Sequence, residues 1–218
     1  MKHVAHGDGI EPFILLLIVF LFGLCLGSWR AASRSSQNRG ESAVRQALTA
    51  AFTSSHYHLL NNVTVPVAEG TTQIDHILVS RYGIFVLETK HYTGWIFGEA
   101  NSSQWMQVIY KKKSQFQNPL HQNYKHVAAV AKILDFIPQE QIRSIVVFTG
   151  DAEFKTPRPN GVILLSELVP HLSGYNEVTI PENRMQFCVG RLECIRLAIS
   201  RQTDIEHAQH LRHRFGDE

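Results

Sequence analysis

Residues 72–90 read TQIDHILVSRYGIFVLETK, and the way this stretch folds back on itself decides the architecture. Ile77 to Ser80 and Ile84 to Leu87 are short runs of β-branched, aliphatic and aromatic residues separated by the turn-like Arg81, Tyr82 and Gly83, the pattern of a β-hairpin. A reversal centred on Arg81 and Tyr82 puts Asp75 opposite Glu88. One centred on Tyr82 and Gly83 shifts the partner to Thr89 or Lys90. In both registers the three polar groups meet at one end of the hairpin. Residues two apart on a strand share a face, so Glu88 and Lys90 point one way while Leu87 and Thr89 point the other.

Placing two carboxylates and an ammonium at the end of strands that are otherwise Ile, Phe, Val and Leu costs several kcal/mol per unpaired ion. The groups must pair or hold a cation. Asp75 and Glu88 offer hard oxygen ligands suited to Mg²⁺ or Mn²⁺. Lys90 would then orient or help deprotonate water, or neutralise charge on a phosphorane-like transition state. The competing reading is a surface ion pair between Glu88 and Lys90 where the strand leaves the core.

Several further motifs recur in order around this segment: Gly40 and Glu41 opening a helix, Thr72 to Asp75 followed by His76, YGIF at 82–85, ETK at 88–90, Gly94 with Trp95, and NPLHQ at 118–122. Together they resemble the nuclease-related domain (NERD) family, a branch of the PD-(D/E)XK nuclease superfamily, over roughly residues 38 to 150. The resemblance implies an α/β fold, a PD-(D/E)XK nuclease-like mixed sheet flanked by helices. It implies metal carboxylates at Asp75 and Glu88, a catalytic lysine at Lys90, a supporting acid at Glu41 and a polar helix residue facing the site at Gln122. Two positions depart from the pattern. Ile74 stands where the superfamily's name has proline, and Gln73 stands where relatives often have glutamate.

Read without the resemblance, Glu41 lies on the inward side of a helix marked by Val44, Ala47, Leu48, Ala51 and Phe52, where a first-turn glutamate more commonly serves the helix dipole. Asn118 and Pro119 form an N-cap and a first-position proline, so Gln122 falls in the first turns of a helix running towards Phe136.

Residues 12–29, PFILLLIVFLFGLCLGSW, contain no charge and as a helix would extend about 27 Å, close to a hydrocarbon core. They are expected to be a transmembrane helix. Arg30, Arg34 and Arg39 follow, whereas Lys2 is balanced by Asp8 and Glu11. The positive-inside bias therefore predicts a single-pass protein of the cytoplasmic membrane with its C-terminal domain facing the cytoplasm. A cleaved signal peptide fits less well, because the preceding segment is barely basic, and Leu24 before Cys25 is not the small residue of a lipobox.

The formal net charge of +2 advertises no global basic field, so any nucleic-acid surface must be local. Lys111, Lys112 and Lys113, flanked by Trp105, Tyr110 and Phe116, are the candidate nucleic-acid-binding group; the alternative is a solvated hairpin tip. The three cysteines include one in the apolar segment. Cys188 and Cys194 are placed six apart on a helix and read as small hydrophobes in a reducing compartment. No C-x-x-C pair, phosphate-binding loop, nucleophile elbow or dinucleotide fingerprint occurs.

The expected organisation is a short segment at 1–11, an anchor at 12–29, a polar linker at 30–39, a nuclease-like domain at 40–150 and a C-terminal strand and helical extension at 151–218. His207, His210 and His213 have helical spacing but neighbour Arg212 and Arg214, so a metal site there is disfavoured. His76, His121 and His126 read as hydrogen-bonded or surface residues. Two functions compete. One is a membrane-anchored divalent-metal-dependent nuclease using Mg²⁺ or Mn²⁺ on DNA in preference to RNA. The other is a non-catalytic anchored module that binds nucleic acid or protein through the same fold.

Overall fold

A computed structural model describes residues 35–196 and residue 209. Within this range the first helix, α1, occupies residues 35–51. It begins earlier than the expected linker boundary and ends where Thr53, Ser54 and Ser55 compete for the backbone. There follow β1 (Tyr57–Val67), β2 (Gly70–Ser80), β3 (Gly83–His91), β4 (Gly94–Phe97), β5 (Gln104–Ile109), β6 (Lys112–Gln117) and α2 (Pro119–Ile133). After a 3₁₀ turn come β7 (Ile142–Thr149), β8 (Ala152–Phe154), β9 (Val162–Leu164), α3 (Leu165–Ser173) and α4 (Glu182–Ile195).

The strands form two sheets, one of order β1-β2-β3-β7-β9 and one of order β6-β5-β4-β8. In the larger sheet β1, β2 and β3 are antiparallel, and β3, β7 and β9 are parallel. This is a mixed sheet flanked by helices. Strand β3 shows why its sequence is apolar without alternation: Ile84 and Val86 pack in one hydrophobic cluster with Val130 and Leu134, while Phe85 and Leu87 pack in another with Val44 and Leu48. A strand covered on both faces must be apolar at successive positions. The polar residues Glu88 to Lys90 therefore mark where the cover is no longer purely hydrophobic.

The β2–β3 turn is centred on Arg81 and Tyr82, with Ser80 opposite Gly83 and the ladder running to His76 opposite Leu87. It stops there, one pair short of Asp75 and Glu88. On the other side of β2, Leu60 lies opposite Ile77 and Val63 opposite Ile74, all four in the same cluster. An odd step between residues of one face requires the strand pair to turn over, and Asn62, at φ 51°, supplies the break in β1. Asp75 sits at that twist.

The expected transmembrane helix is corrected here. Among the described residues no helix is long and apolar enough to cross a membrane. Helices α2 and α4 have 15 and 14 residues, short of the roughly 20 apolar residues that a hydrocarbon core requires. Residues 12–29 lie outside the described residues, as do His207, His210 and His213. The membrane anchor, the membrane as a partner and the single-pass location facing the cytoplasm are accordingly withdrawn.

Candidate active site

The site is built at the C-terminal end of β3, where α2 covers one face. Helix α2 starts at Asn118, whose side-chain oxygen accepts from Leu120 N at 2.9 Å and whose amide lies 2.7 Å from Ser102 O, 3.0 Å from Ala100 O and 3.3 Å from Glu99 O. One side chain thus caps the helix and ties it to the loop before β5. A turn later the buried Asn123 donates to Val86 O at 2.9 Å, Ser144 Oγ at 2.8 Å and Ile145 O at 3.2 Å. These bonds dock α2 onto β3 and β7. They set Gln122 and His126, four apart and hence neighbours on the helix surface, against the strand end.

Lys90 Nζ lies 2.7 Å from Glu88 Oε1 and donates to Gln122 Oε1 at 3.0 Å. Glu88 Oε2 faces His126 Nε2 at 3.2 Å, and His126 Nδ1 is 3.0 Å from Thr72 Oγ1. A polar chain therefore runs from Gln122 through Lys90, Glu88 and His126 to Thr72. Asp75 enters from β2, where its Oδ2 accepts from Thr89 N at 2.8 Å, a bond made possible because the β2–β3 ladder has ended.

Burial acts against the charge on each of these groups, and their neighbours decide the outcome. Asp75 is held well above the usual carboxylate range by burial and by the charges of Glu88 and Glu41, which outweigh the Thr89 hydrogen bond and Lys90. Burial pushes Glu88 up, but Lys90 and the nearby His126 prevail and hold it below its ordinary value. Burial would lower Lys90, yet the charge and hydrogen bond of Glu88 raise it, so the ammonium persists at neutral pH. The region holds more acid than base.

Glu41 reaches this field from α1, whose close approach depends on Gly40. A Cβ there would lie 2.6 Å from Thr149 Oγ1 and 2.8 Å from His91 Cβ, closer than packed atoms tolerate. His76, next to Asp75, is buried with its Nδ1 2.7 Å from Asn61 Oδ1, and burial followed by the charge of Arg45 lowers it to about 4. It is a neutral structural group.

The reading of a ready-made metal centre needs correction. Among the described residues no group of three or more His, Cys, Asp or Glu side chains is gathered so as to hold a metal ion. Each Glu88 oxygen is turned to a nitrogen-bearing neighbour, Oε1 to Lys90 and Oε2 to His126, while Asp75 Oδ2 is taken up by Thr89 N.

The lysine cluster at 111–113 is divided. Lys112 and Lys113 pair with Ile109 and Val108 across the β5–β6 hairpin and so lie on opposite faces, while Lys111 and the 97% exposed Tyr110 form the tip. Trp105 is buried and stacks on Phe148, which removes it from any base-stacking role. Thr72, Asn123 and His126 were not singled out as site residues in the sequence. For His126 a cue existed in its four-residue spacing from Gln122. Thr72, 54 residues from its histidine partner, offered none.

The model of the nuclease-related domain family matches residues 36–149. An uncharacterised protein of Bacillus anthracis is 33% identical over 213 residues, covering 94% of this chain and 97% of that protein. The chain belongs to the nuclease-related domain family. The nuclease-related match ends at the last residue of β7 and so includes every residue of the polar chain described above. No solved structure matches.

Proposed function

We propose that the domain is a divalent-metal-dependent phosphodiester hydrolase acting on nucleic acid. The observation that carries this reading is that Asp75, Glu88 and Lys90 are buried together where the β2–β3 ladder ends, Asp75 being raised first by burial and then by the charges of Glu88 and Glu41. Buried carboxylates that repel one another are a donor set for a hard cation. Membership of a nuclease-related family, whose wider PD-(D/E)XK group uses divalent ions, agrees with it.

Asp75 and Glu88 would hold Mg²⁺ or Mn²⁺, with Glu41 adding negative charge from α1. When bound, the ion supplies Lewis acidity at the phosphoryl group and makes water more acidic. The chain's own groups do the rest. Lys90, kept protonated by Glu88 and fixed in direction by Gln122, serves as a positive charge beside the phosphoryl oxygens and not as a base. His126, oriented through Thr72, sits against the second oxygen of Glu88. In the reaction, water oxygen bonds to phosphorus as one phosphorus–oxygen ester bond breaks, and the departing oxygen gains a proton, leaving a phosphomonoester and a hydroxyl.

The second reading, a nucleic-acid-binding module without catalysis, is favoured by the engagement of both Glu88 oxygens with Lys90 and His126. Incubating the full chain with plasmid and single-stranded DNA in Mg²⁺ or Mn²⁺ separates the two. The catalytic reading expects cleavage that chelation stops and that Glu88→Gln and Lys90→Ala each reduce by at least about a hundredfold. Cleavage unchanged in both variants, or DNA binding without cleavage under either ion, defeats it.

A further inference from the structure

The smaller sheet carries aromatic and cationic groups that the proposed site does not use. Its inner face is packed, with Ile96 buried and Trp105 stacked on Phe148. Residues opposite each other across a ladder share a side, and successive residues alternate. The registers Trp95↔Val108, Val108↔Lys113 and Phe97↔Met106 therefore place these side chains on the outer face. Trp95, Phe97, Met106 and Val108 belong to none of the three hydrophobic clusters among the described residues. Lys155 sets its ammonium 4.8 Å from the Trp95 ring centre and is ion-paired with Glu153. Even so, Trp95 remains 48% exposed.

This sheet continues the strand that bears the proposed site. Strands β3 and β7 run parallel, and their chains pass into β4 and β8, which are parallel again. Tyr92 N donates to Thr149 O and Gly94 N to Asp151 O, both at 3.1 Å, so the two chains stay bonded between the sheets. Trp95 follows Lys90 by five residues, a separation of at most about 18 Å.

Building on the proposed hydrolase, we propose that this outer face binds single-stranded nucleic acid, stacking a base on Trp95, with Phe97 at its edge, and placing a phosphate at Lys113. An open tryptophan on a sheet face, beside the half-buried Phe97, offers a surface for an unpaired base, whereas a duplex keeps its base faces stacked internally. Lysine is depleted at protein interfaces but complements a phosphate backbone, which favours nucleic acid as the occupant. Lys155 braces the indole while Glu153 engages its charge, so Lys113 provides the phosphate contact. The strand bound here would lie within reach of Lys90.

Fluorescence anisotropy with the full chain in EDTA, using labelled oligo(dT) and a blunt duplex of equal length, tests this without cleavage. The expected result is tighter binding of oligo(dT) than of duplex, about tenfold weaker binding in Trp95→Ala and near wild-type binding in Trp95→Phe. Lys113→Ala should reduce the slope of log affinity against log salt by about 0.7. Unchanged oligo(dT) affinity in both Trp95→Ala and Lys113→Glu, or a preference for duplex, overturns the proposal. Should Trp95→Ala lose its circular dichroism signature, Phe97→Ala and Lys113→Glu decide in its place. Because binding is read without metal, its failure leaves metal-dependent cleavage standing. Conversely, loss of cleavage activity leaves a Trp95-dependent binding result intact.

Discussion

Replacing Asp75 by Asn should stabilise the protein at neutral pH while removing its activity. The carboxylate is disfavoured by burial and by the charges of Glu88 and Glu41. At an effective dielectric of about 20, like charges roughly 6 Å apart repel by about 3 kcal/mol, part of which a nearby ammonium such as Lys90 offsets. Asparagine keeps an oxygen for Thr89 N, although exchanging a charged acceptor for a neutral one forfeits about 1 kcal/mol. The net gain is on the order of 1–2 kcal/mol, or about 2–6 °C in Tm for a chain of this size. Because Asp75 binds its proton more readily in the folded than in the unfolded state, wild-type stability from this group rises as pH falls from its raised folded pKa towards the ordinary carboxylate range. The advantage of Asp75→Asn should therefore shrink towards pH 4. Urea denaturation of both full-length proteins, followed by tryptophan fluorescence at pH 7 and pH 5, reads this out. Destabilisation by more than about 1 kcal/mol at pH 7 would show that the carboxylate supports the fold through Thr89 and Lys90, and the argument from acid excess would be refuted.

Other substitutions probe the supports of the site. Gly40→Ala forces a Cβ against Thr149 and His91 and should cost about 1–3 kcal/mol in thermal denaturation, with a further loss of cleavage as Glu41 moves away. Asn118→Ala removes the α2 cap and its contacts with three carbonyls, so a loss of about 2–3 kcal/mol is expected in urea unfolding. Gln122→Leu leaves Lys90 without its 3.0 Å acceptor and should lower the cleavage rate roughly tenfold, about 1.4 kcal/mol, with KM for DNA nearly unchanged.

The mixed sheet flanked by helices followed from the family resemblance, while the hairpin itself was legible in the apolar runs Ile77 to Val79 and Ile84 to Leu87, the second turning polar at Glu88 as a strand covered on both faces does where its cover changes. The common face of Glu88 and Lys90 followed from the two-residue strand period. The partner of Glu88 on α2 did not, because His126 and Thr72 meet through packing between elements far apart in the chain. The surroundings of the basic tip were hidden for a related reason. Without the β4–β5–β6 registers, Trp105 and Trp95 look equivalent in sequence, yet the first is buried against Phe148 and the second is open. The apolar stretch at 12–29 has the length and composition of a span, but the helices that the structure describes do not.

The most direct test of the central claim is calorimetric titration of Mn²⁺ into the full chain and its Asp75→Asn and Glu88→Gln variants. A saturable site in the wild type that both substitutions abolish is the expected result. A Mn²⁺ site that survives both substitutions, or no binding to the wild type at millimolar ion, would contradict the assignment of these two carboxylates as a cation-holding pair.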